Sequence, residues 1–294
     1  MIAPSRRFLS PRDLAVAVGA SESSLKRWID DGAVTASRTT GGHRRILRAD
    51  AVRFIRESRL QIVRPDLLGL DVSSVGAVRG DHPAADDLLE AMRAGDGRTV
   101  IGLVVSAFVA GASVAEICDG PVRDALSAVG ELWRHGADGI AIEHQAVEAC
   151  AQALGMIREM LPEPGAEAPT AIGGAVTGDP YLLPTLVAAV VLREGGYRAV
   201  NLGPDLPSAA LLHGIERHRP ALVWRSASIA RDDRDLKREL DALAPALRAE
   251  PAELVLGGRG LASTSIPREE RCHAFASMAE LSGFARGLVR SRAS

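Results

Sequence analysis

The chain has few cysteines, few aromatic residues and no long apolar run. Its three cysteines, Cys118, Cys150 and Cys272, are far apart and form no CxxC pair, which argues against a disulfide framework and a cysteine zinc site. No segment approaches the ~18 consecutive apolar residues of a membrane span. The first residues also lack the apolar core of a signal peptide. We therefore expect a cytoplasmic protein with no membrane partner.

Recognisable catalytic patterns are also missing from the sequence. The seven histidines are scattered, and no nucleophile elbow, phosphate-binding loop or metal-ligand spacing occurs. The glycine pairs Gly173-Gly174 and Gly257-Gly258 lack the spacing of a dinucleotide-binding fingerprint. The sequence therefore predicts a protein that is not an enzyme and has no metal site.

Charge is distributed unevenly along the 294 residues, a length that exceeds what one hydrophobic core usually serves. Residues 1–64 carry 13 Lys/Arg against 6 Asp/Glu, and the remainder carries 22 against 31. A small basic module thus precedes a larger acidic body. We expect the basic module over residues 1–64, a linker over 65–82, a four-helix bundle over 83–162, a second linker over 163–169 and an α/β domain over 170–294.

The period of the apolar residues distinguishes the bundle from the last domain. Between residues 86 and 161 apolar side chains recur every three or four positions, which predicts four helices with short turns. From Thr170 short apolar runs alternate with helical stretches. The predicted strands are Thr170–Val176, Arg198–Leu202, Ala221–Ser226 and Glu253–Gly257. This alternation predicts a flavodoxin-like, doubly wound parallel sheet with ligands at the carboxyl ends of its strands.

The basic module has the pattern of a helix-turn-helix followed by a hairpin. Ser10 and Ser21 are predicted to cap two short helices, and β-permissive arms around Gly41-Gly42 predict a wing. Ser21–Trp28 followed by Arg38–Arg45 resembles the winged-helix DNA-binding domain of MerR regulators, which implies double-stranded DNA as a partner and a dimer or larger homo-oligomer. The residues predicted to contact DNA are Ser23, Ser24, Lys26 and Arg27 on the second helix and Arg38, Thr39, Thr40, His43, Arg44 and Arg45 on the wing.

A second motif, Trp-x9-Glu-His, lies at the junction of two predicted bundle helices, at Trp133, Glu143 and His144. A core tryptophan and a satisfied histidine would also explain it. The order of a MerR-type module, a helical bundle and a doubly wound domain resembles the CarH/CarA-like regulators. In that family this motif covers the upper face of adenosylcobalamin, and Ile140 here replaces the usual Val. The resemblance therefore implies an upper ligand surface of Trp133, Ile140, Glu143 and His144.

The predicted lower face departs from that family, which carries Asp/Glu-x-His-x-x-Gly after the first strand. Asp179 is kept, but Tyr181 replaces the cobalt-ligating histidine and Pro184 replaces the glycine. A neutral phenol is a poor substitute for imidazole on cobalt. In the third strand Trp224 could plug the channel for the nucleotide tail, and Arg225 could pair with an anion; packing and surface roles would explain both residues equally simply. The ligand pocket inferred from the resemblance thus adds Asp179, Tyr181, Trp224 and Arg225.

Three functions follow from these motifs. The first is a sequence-specific DNA-binding regulator whose body does not bind cobalamin through histidine and acts ligand-free, with another tetrapyrrole or an apolar molecule, or through a protein partner. The second is an adenosylcobalamin-dependent, light-responsive regulator. The third is a corrinoid carrier for methyl transfer, which would leave the DNA-binding module unexplained.

Overall fold

The computed structural model describes residues 7–70, 85–131, 137–230, 232–250, 252–261 and 271–293. It divides into two compact units. The first comprises the described residues up to Ser113 and those within Gly120–Pro162, and we call it the helical unit. The second comprises Val114–Asp119 and the described residues from Glu163 onward, and we call it the α/β unit.

The helical unit begins with two short helices and a small antiparallel sheet. Its elements are β1 (Phe8–Leu9), α1 (Pro11–Ala17), α2 (Glu22–Asp30), β2 (Ser37–Arg38), β3 (Arg44–Leu47) and α3 (Arg48–Glu57), with sheet order β1-β3-β2. Ser10 caps α1 with a capping box closed by Asp13, and the side chain of Ser21 accepts the amide of Ser24 at the start of α2. The predicted caps and hairpin are therefore present.

Four further helices complete the described part of the helical unit: α4 (Ala85–Arg93), α5 (Gly97–Ala110), α7 (Arg123–Glu131) and α8 (Ala137–Met160), while α6 (Val114–Ile117) belongs to the α/β unit. The apolar helix α5 is buried along most of its length and packs mainly against α8. Helix α3 also packs on α5, where the Arg56 guanidinium lies 3.8 Å from the centre of the Phe108 ring and donates to the carbonyls of Phe108 and Ala112. This contact joins the basic module to the bundle.

The predicted linker over residues 65–82 is partly folded. Pro65–Leu68 form a 3₁₀ turn in which Pro65 and Leu68 are buried, and the turn packs against α1. The part of this linker beyond Leu70 and up to residue 82 lies outside the described residues. Its first residues therefore extend the core of the basic module, a contribution that their lack of helical period did not indicate.

The α/β unit contains a five-stranded parallel sheet. Its elements are α6 (Val114–Ile117), β4 (Thr170–Ala175), α9 (Leu182–Glu194), β5 (Arg198–Asn201), α10 (Ser208–His218), β6 (Leu222–Ser226), α11 (Asp233–Ala249), β7 (Glu253–Gly257), β8 (Cys272–Phe275) and α12 (Met278–Ala293). The strand order is β5-β4-β6-β7-β8, so the predicted flavodoxin-like order is confirmed. Helix α9 packs on α12, and α10 packs on α11. The edge strand β8 was not predicted from the sequence.

A short segment that was predicted to belong to the helical bundle, Val114–Asp119, belongs to the α/β unit. The apolar period over residues 113–133 predicts a helix interrupted at Pro121, and the chain leaves helical geometry at Gly120, beside that proline. The segment before this break is fixed inside the α/β unit at both ends. The Val114 amide donates to Glu194 Oε2 at 3.0 Å, and the Asp119 carboxylate accepts the amides of Met278 and Ala279 at the start of α12.

Candidate functional site

Helix α2 presents a polar face and packs its apolar face inward. Leu25 is buried, and the half-buried Trp28 ring packs on Phe54 with ring centroids 5.1 Å apart. Of the residues predicted to contact DNA on this helix, Ser23, Lys26 and Arg27 are exposed. Ser24 was expected to be exposed but is half-buried, because its hydroxyl lies 3.0 Å from the hydroxyl of the cap residue Ser21. The Ser24 hydroxyl therefore takes part in the hydrogen bonding that caps the amino end of α2.

The hairpin after α2 closes through a tight turn. The Gly42 amide donates to the Thr39 carbonyl, Gly42 has φ +80°, and the Thr39 amide donates to the carbonyl of His43. This is the three-residue hairpin turn whose last position requires a left-handed residue, and glycine meets that need. Around the turn the side chains of Arg38, Thr40, His43 and Arg45 are exposed, and Thr39 is half-buried because its hydroxyl accepts the His43 amide.

Two wing arginines have partners within the module. Arg44 donates to Asp30 Oδ1 at 2.8 Å, so it links β3 to the last residue of α2. The Arg45 guanidinium lies 5.8 Å from the ring centre of Phe8, an exposed aromatic residue on β1. The sequence predicted both arginines as phosphate donors. The structure adds a positioning contact for Arg44, whose acidic partner Asp30 was not singled out.

The upper ligand surface inferred from the resemblance lies on α8. Ile140 is 42% exposed, and His144 Nε2 lies 3.7 Å from Glu143 Oε2, with 73% of the His144 side chain and 17% of the Glu143 side chain exposed. Because these residues are three and four positions apart, Ile140, Glu143 and His144 share one side of the helix. Trp133 lies outside the described residues. An imidazole, a carboxylate and an aliphatic side chain are thus presented together.

The lower residues follow β4 at the carboxyl edge of the sheet. Asp179 is fully buried, and its carboxylate accepts the backbone amides of Tyr181 (3.1 Å) and Ser228. Tyr181 is half-buried, and its ring centre lies 5.9 Å from the guanidinium of Arg259, which also donates to the Ser228 carbonyl. The acid that the sequence shares with cobalamin domains therefore holds two loops together here.

Trp224 and Arg225 leave β6 on opposite faces of the sheet, as neighbouring strand residues must. Trp224 is 2% exposed, and its indole donates to Thr185 Oγ1 at 3.0 Å; that hydroxyl donates in turn to Asn201 Oδ1. The ring lies against Gly173, where an added Cβ would come within 2.4 Å of it. Trp224 is therefore a hydrogen-bonded core residue, and Gly173 makes room for it.

Arg225 is as deeply buried as Trp224. Its guanidinium donates to the carbonyls of Ala175 and Leu206 and forms an ion pair with Glu239 Oε2 at 2.9 Å. The anion that Arg225 was predicted to bind is thus supplied by the chain itself. Glu239 lies on α11 among charged surface residues, and its sequence position gave no sign that it pairs with a strand residue.

These residues do not fit a histidine-ligated cobalt. The position expected to supply imidazole holds a phenol with a guanidinium beside it, and a neighbouring cation does not favour a second cation there. The carboxylate of Asp179, the acid kept from the family pattern, is committed to backbone amides. Separately, the described residues contain no group of three or more side chains that could hold a free metal ion. The same residues also contain no helix long and apolar enough to cross a membrane.

Comparison with known proteins first gives the class. Residues 84–158 match the family model of the B12 binding domain. The chain also shares its fold with the monomethylamine corrinoid protein of Methanosarcina barkeri, at TM-score 0.53 and 18% identity over 68% of this chain and 96% of that one. At this identity the likeness shows the fold alone. The chain thus contains a helical region that matches the B12 binding domain model and shares the fold of a corrinoid protein.

A relative with a known role narrows this class. The HTH-type transcriptional repressor CarA of Myxococcus xanthus is 27% identical over 260 residues, which cover 85% of this chain and 86% of the repressor. The alignment thus extends well beyond the region matched by the B12-binding family model. The resemblance to CarH/CarA-like regulators predicted from the motifs is therefore confirmed.

Proposed function

We propose that the protein is a sequence-specific, DNA-binding transcriptional regulator of the cytoplasm rather than an enzyme. The observation that carries this proposal is the pairing of an exposed cationic helix face with a cationic hairpin in one small module. Lys26 and Arg27 are exposed on α2, and Arg38 and Arg45 are exposed on the hairpin. We infer that the first two read base edges and that the hairpin arginines contact phosphates. The similarity to a repressor over most of the chain supports the same function.

A selection from random duplexes with the full-length protein, followed by fluorescence anisotropy on the selected site, tests this function. We expect a repeated site, because one such module covers a half-site, and an affinity that falls steeply with salt. Arg38→Ala should reduce the steepness by about one unit of log Kd per log salt. Arg286→Ala, an exposed arginine of α12, is the matched control and should leave the affinity unchanged. Failure to enrich any sequence would contradict the proposal.

We infer further that the protein works as a dimer or larger homo-oligomer. The described helices do not include the long terminal coiled coil by which simple MerR regulators dimerise, so the body would have to supply the contact. Light scattering of the free protein and of its DNA complex at two protein concentrations tests this. A monomer on a single half-site would contradict it.

We propose that the body regulates transcription without histidine-ligated cobalamin, either ligand-free or by binding a protein partner or a different small molecule. Tyr181 in place of the ligating histidine, the committed Asp179 carboxylate and the buried Trp224 support this. Incubation with adenosylcobalamin in the dark, followed by desalting and an absorption spectrum, is the test. A stoichiometric coloured complex that changes its oligomer size under light would instead establish the light-responsive function, with His144, His135 or water as the cobalt ligand.

A further inference from the structure

The order of the strands places the ligand crevice of this fold between β4 and β6. The chain leaves β4 for α9 and leaves β6 for α11, and these helices lie on opposite faces of the sheet. The loops after two adjacent strands therefore part from each other. In sheets of this type the gap between such loops is where ligands bind. In this protein two side-chain carboxylates, those of Asp179 and Glu239, bridge the gap between the loops.

One bridge across the gap is built on Glu239. One of its carboxylate oxygens accepts the amide of Thr177, in the loop after β4, at 3.1 Å. The other pairs with Arg225, on β6, at 2.9 Å. The Arg225 guanidinium also donates to the carbonyl of Ala175, the last residue of β4, at 3.0 Å. Helix α11, which follows β6, is therefore tied through two charged side chains to the end of β4.

A second bridge is built on Asp179. This buried side chain lies in the loop after β4 and accepts the amide of Ser228, in the loop after β6. The segment after β7 packs against the loop after β6. There the Gly260 amide donates to the Ala227 carbonyl at 2.8 Å, and an added Cβ on Gly258 would lie 2.2 Å from that oxygen. Two carboxylates thus join the parting loops, and close-packed glycines support them.

Trp224 fills the interior below these bridges on the α9 face. Its indole N–H is satisfied by the fully buried Thr185, so the ring cannot turn outward without breaking this buried hydrogen bond. Arg225 is fixed for a related reason, because moving either member of a buried ion pair leaves the other charge uncompensated. The filled state is therefore stable, and a ligand would have to break several buried interactions to enter.

We propose that the ligand crevice of the α/β unit is filled by the chain itself, with Trp224 occupying the place of a corrinoid's nucleotide tail on the α9 face and the Arg225–Glu239 pair closing the gap on the opposite face. This deepens the proposed function, because it explains how the body keeps its form with no ligand in the crevice. The excluded ligand class is any molecule that must insert an aromatic base into the crevice at the carboxyl ends of β4 and β6. A ligand that binds only to the outer surface of the α/β unit is not excluded.

The first test compares two corrinoids on the wild-type protein. Adenosylcobalamin carries the nucleotide tail, and adenosylcobinamide lacks it. We expect neither to change the thermal unfolding midpoint, or both to raise it equally if the macrocycle alone binds at the surface. In the second case the inference about the crevice stands, while the ligand-free form of the body proposed above is wrong. A tighter saturable effect of the compound with the tail would overturn the inference. DNA anisotropy in parallel tests the regulator function separately.

The second test empties the crevice on purpose. Trp224→Gly removes the ring, and we expect indole or 5,6-dimethylbenzimidazole, the base of the cobalamin tail, to raise the midpoint of this variant saturably. The same compounds should leave the wild type unchanged. Leu222→Ala is the matched control, since it opens a smaller space near the amino end of the same strand and should gain nothing. A wild type stabilised by the base would overturn the inference even if Trp224→Gly does not fold.

Discussion

Arg44 in the hairpin and Asp30 at the end of α2 form a 2.8 Å ion pair that joins the two surfaces proposed to contact DNA. The Arg44 side chain is 28% exposed and that of Asp30 is 48% exposed, so the pair is only partly screened by solvent. Such pairs contribute little to folding, on the order of 0–1 kcal/mol. Its geometric effect is larger, since it holds the hairpin at a fixed place relative to the helix.

We therefore expect Arg44→Ala to weaken DNA binding about equally on the selected site and on random duplex, because Arg44 contributes charge and position but reads no base. Asp30→Ala separates the two contributions. It removes a negative charge from the interface, yet we expect roughly two- to fivefold weaker binding because the hairpin loses its anchor. Anisotropy titrations at two salt concentrations measure both variants. Tighter binding by Asp30→Ala would show that Arg44 acts only as a phosphate donor.

Lys26 and Arg27 should behave differently from the hairpin arginines. Both are exposed on α2 and neither is needed for the core, which Leu25 and Trp28 supply from the same helix. Replacement of either by Ala should cost about 1–3 kcal/mol on the selected site and much less on random DNA, so specificity falls. Competition assays with single-base variants of the site locate the position each residue reads. Equal losses on both duplexes would mean that these residues contact phosphates.

Much of the architecture follows from local sequence patterns. The caps Ser10 and Ser21 and the alternating runs from Thr170 onward are short-range signals, and the elements they predict are present within a few residues. Strand β8 escaped notice because its four residues, Cys272–Phe275, contain a histidine and no β-branched residue. Val114–Ile117 escaped because helical period does not reveal which unit a short helix joins.

Local sequence patterns predict only part of the candidate sites. The replacement of the ligating histidine at Tyr181 is readable from a motif, but the partner of Arg225 is not. Glu239 lies 14 residues further along the chain, on a charged helix, and nothing in the sequence distinguishes it from the other acidic residues of that helix. Only the crossing of the chain at the switch point brings that carboxylate to the strand. Long-range pairing of this kind is fixed by topology, which a single sequence encodes weakly.

Gly173 on β4 should tolerate no side chain. An added Cβ would lie 2.2 Å from the Trp224 carbonyl oxygen and 2.4 Å from its ring, and neither group can shift easily because both belong to the core of the sheet. We expect Gly173→Ala to destabilise the protein by about 2 kcal/mol or more. Gly155→Ala, within α8 and with nothing within 4 Å of the added Cβ, is the control and should stabilise slightly. Urea unfolding measures both; equal midpoints would contradict the packing.

Cys150 gives a prediction for alkaline conditions. It is buried in α8, and burial raises the pKa of its thiol from 9.0 to about 12. The unfolded chain therefore loses this proton before the folded chain does, so the thiol's contribution to stability is complete below pH 9 and is lost as the pH rises from 9 toward about 12. The free energy of unfolding should fall across this window by up to about 1.4 kcal/mol per pH unit more in the wild type than in Cys150→Ala.

The same burial predicts the order in which the three thiols react. Iodoacetamide at pH 8 should label the half-buried Cys118 and Cys272 before Cys150. Identical pH profiles for the two proteins, or rapid labelling of Cys150 in the folded state, would show that the thiol is accessible to water.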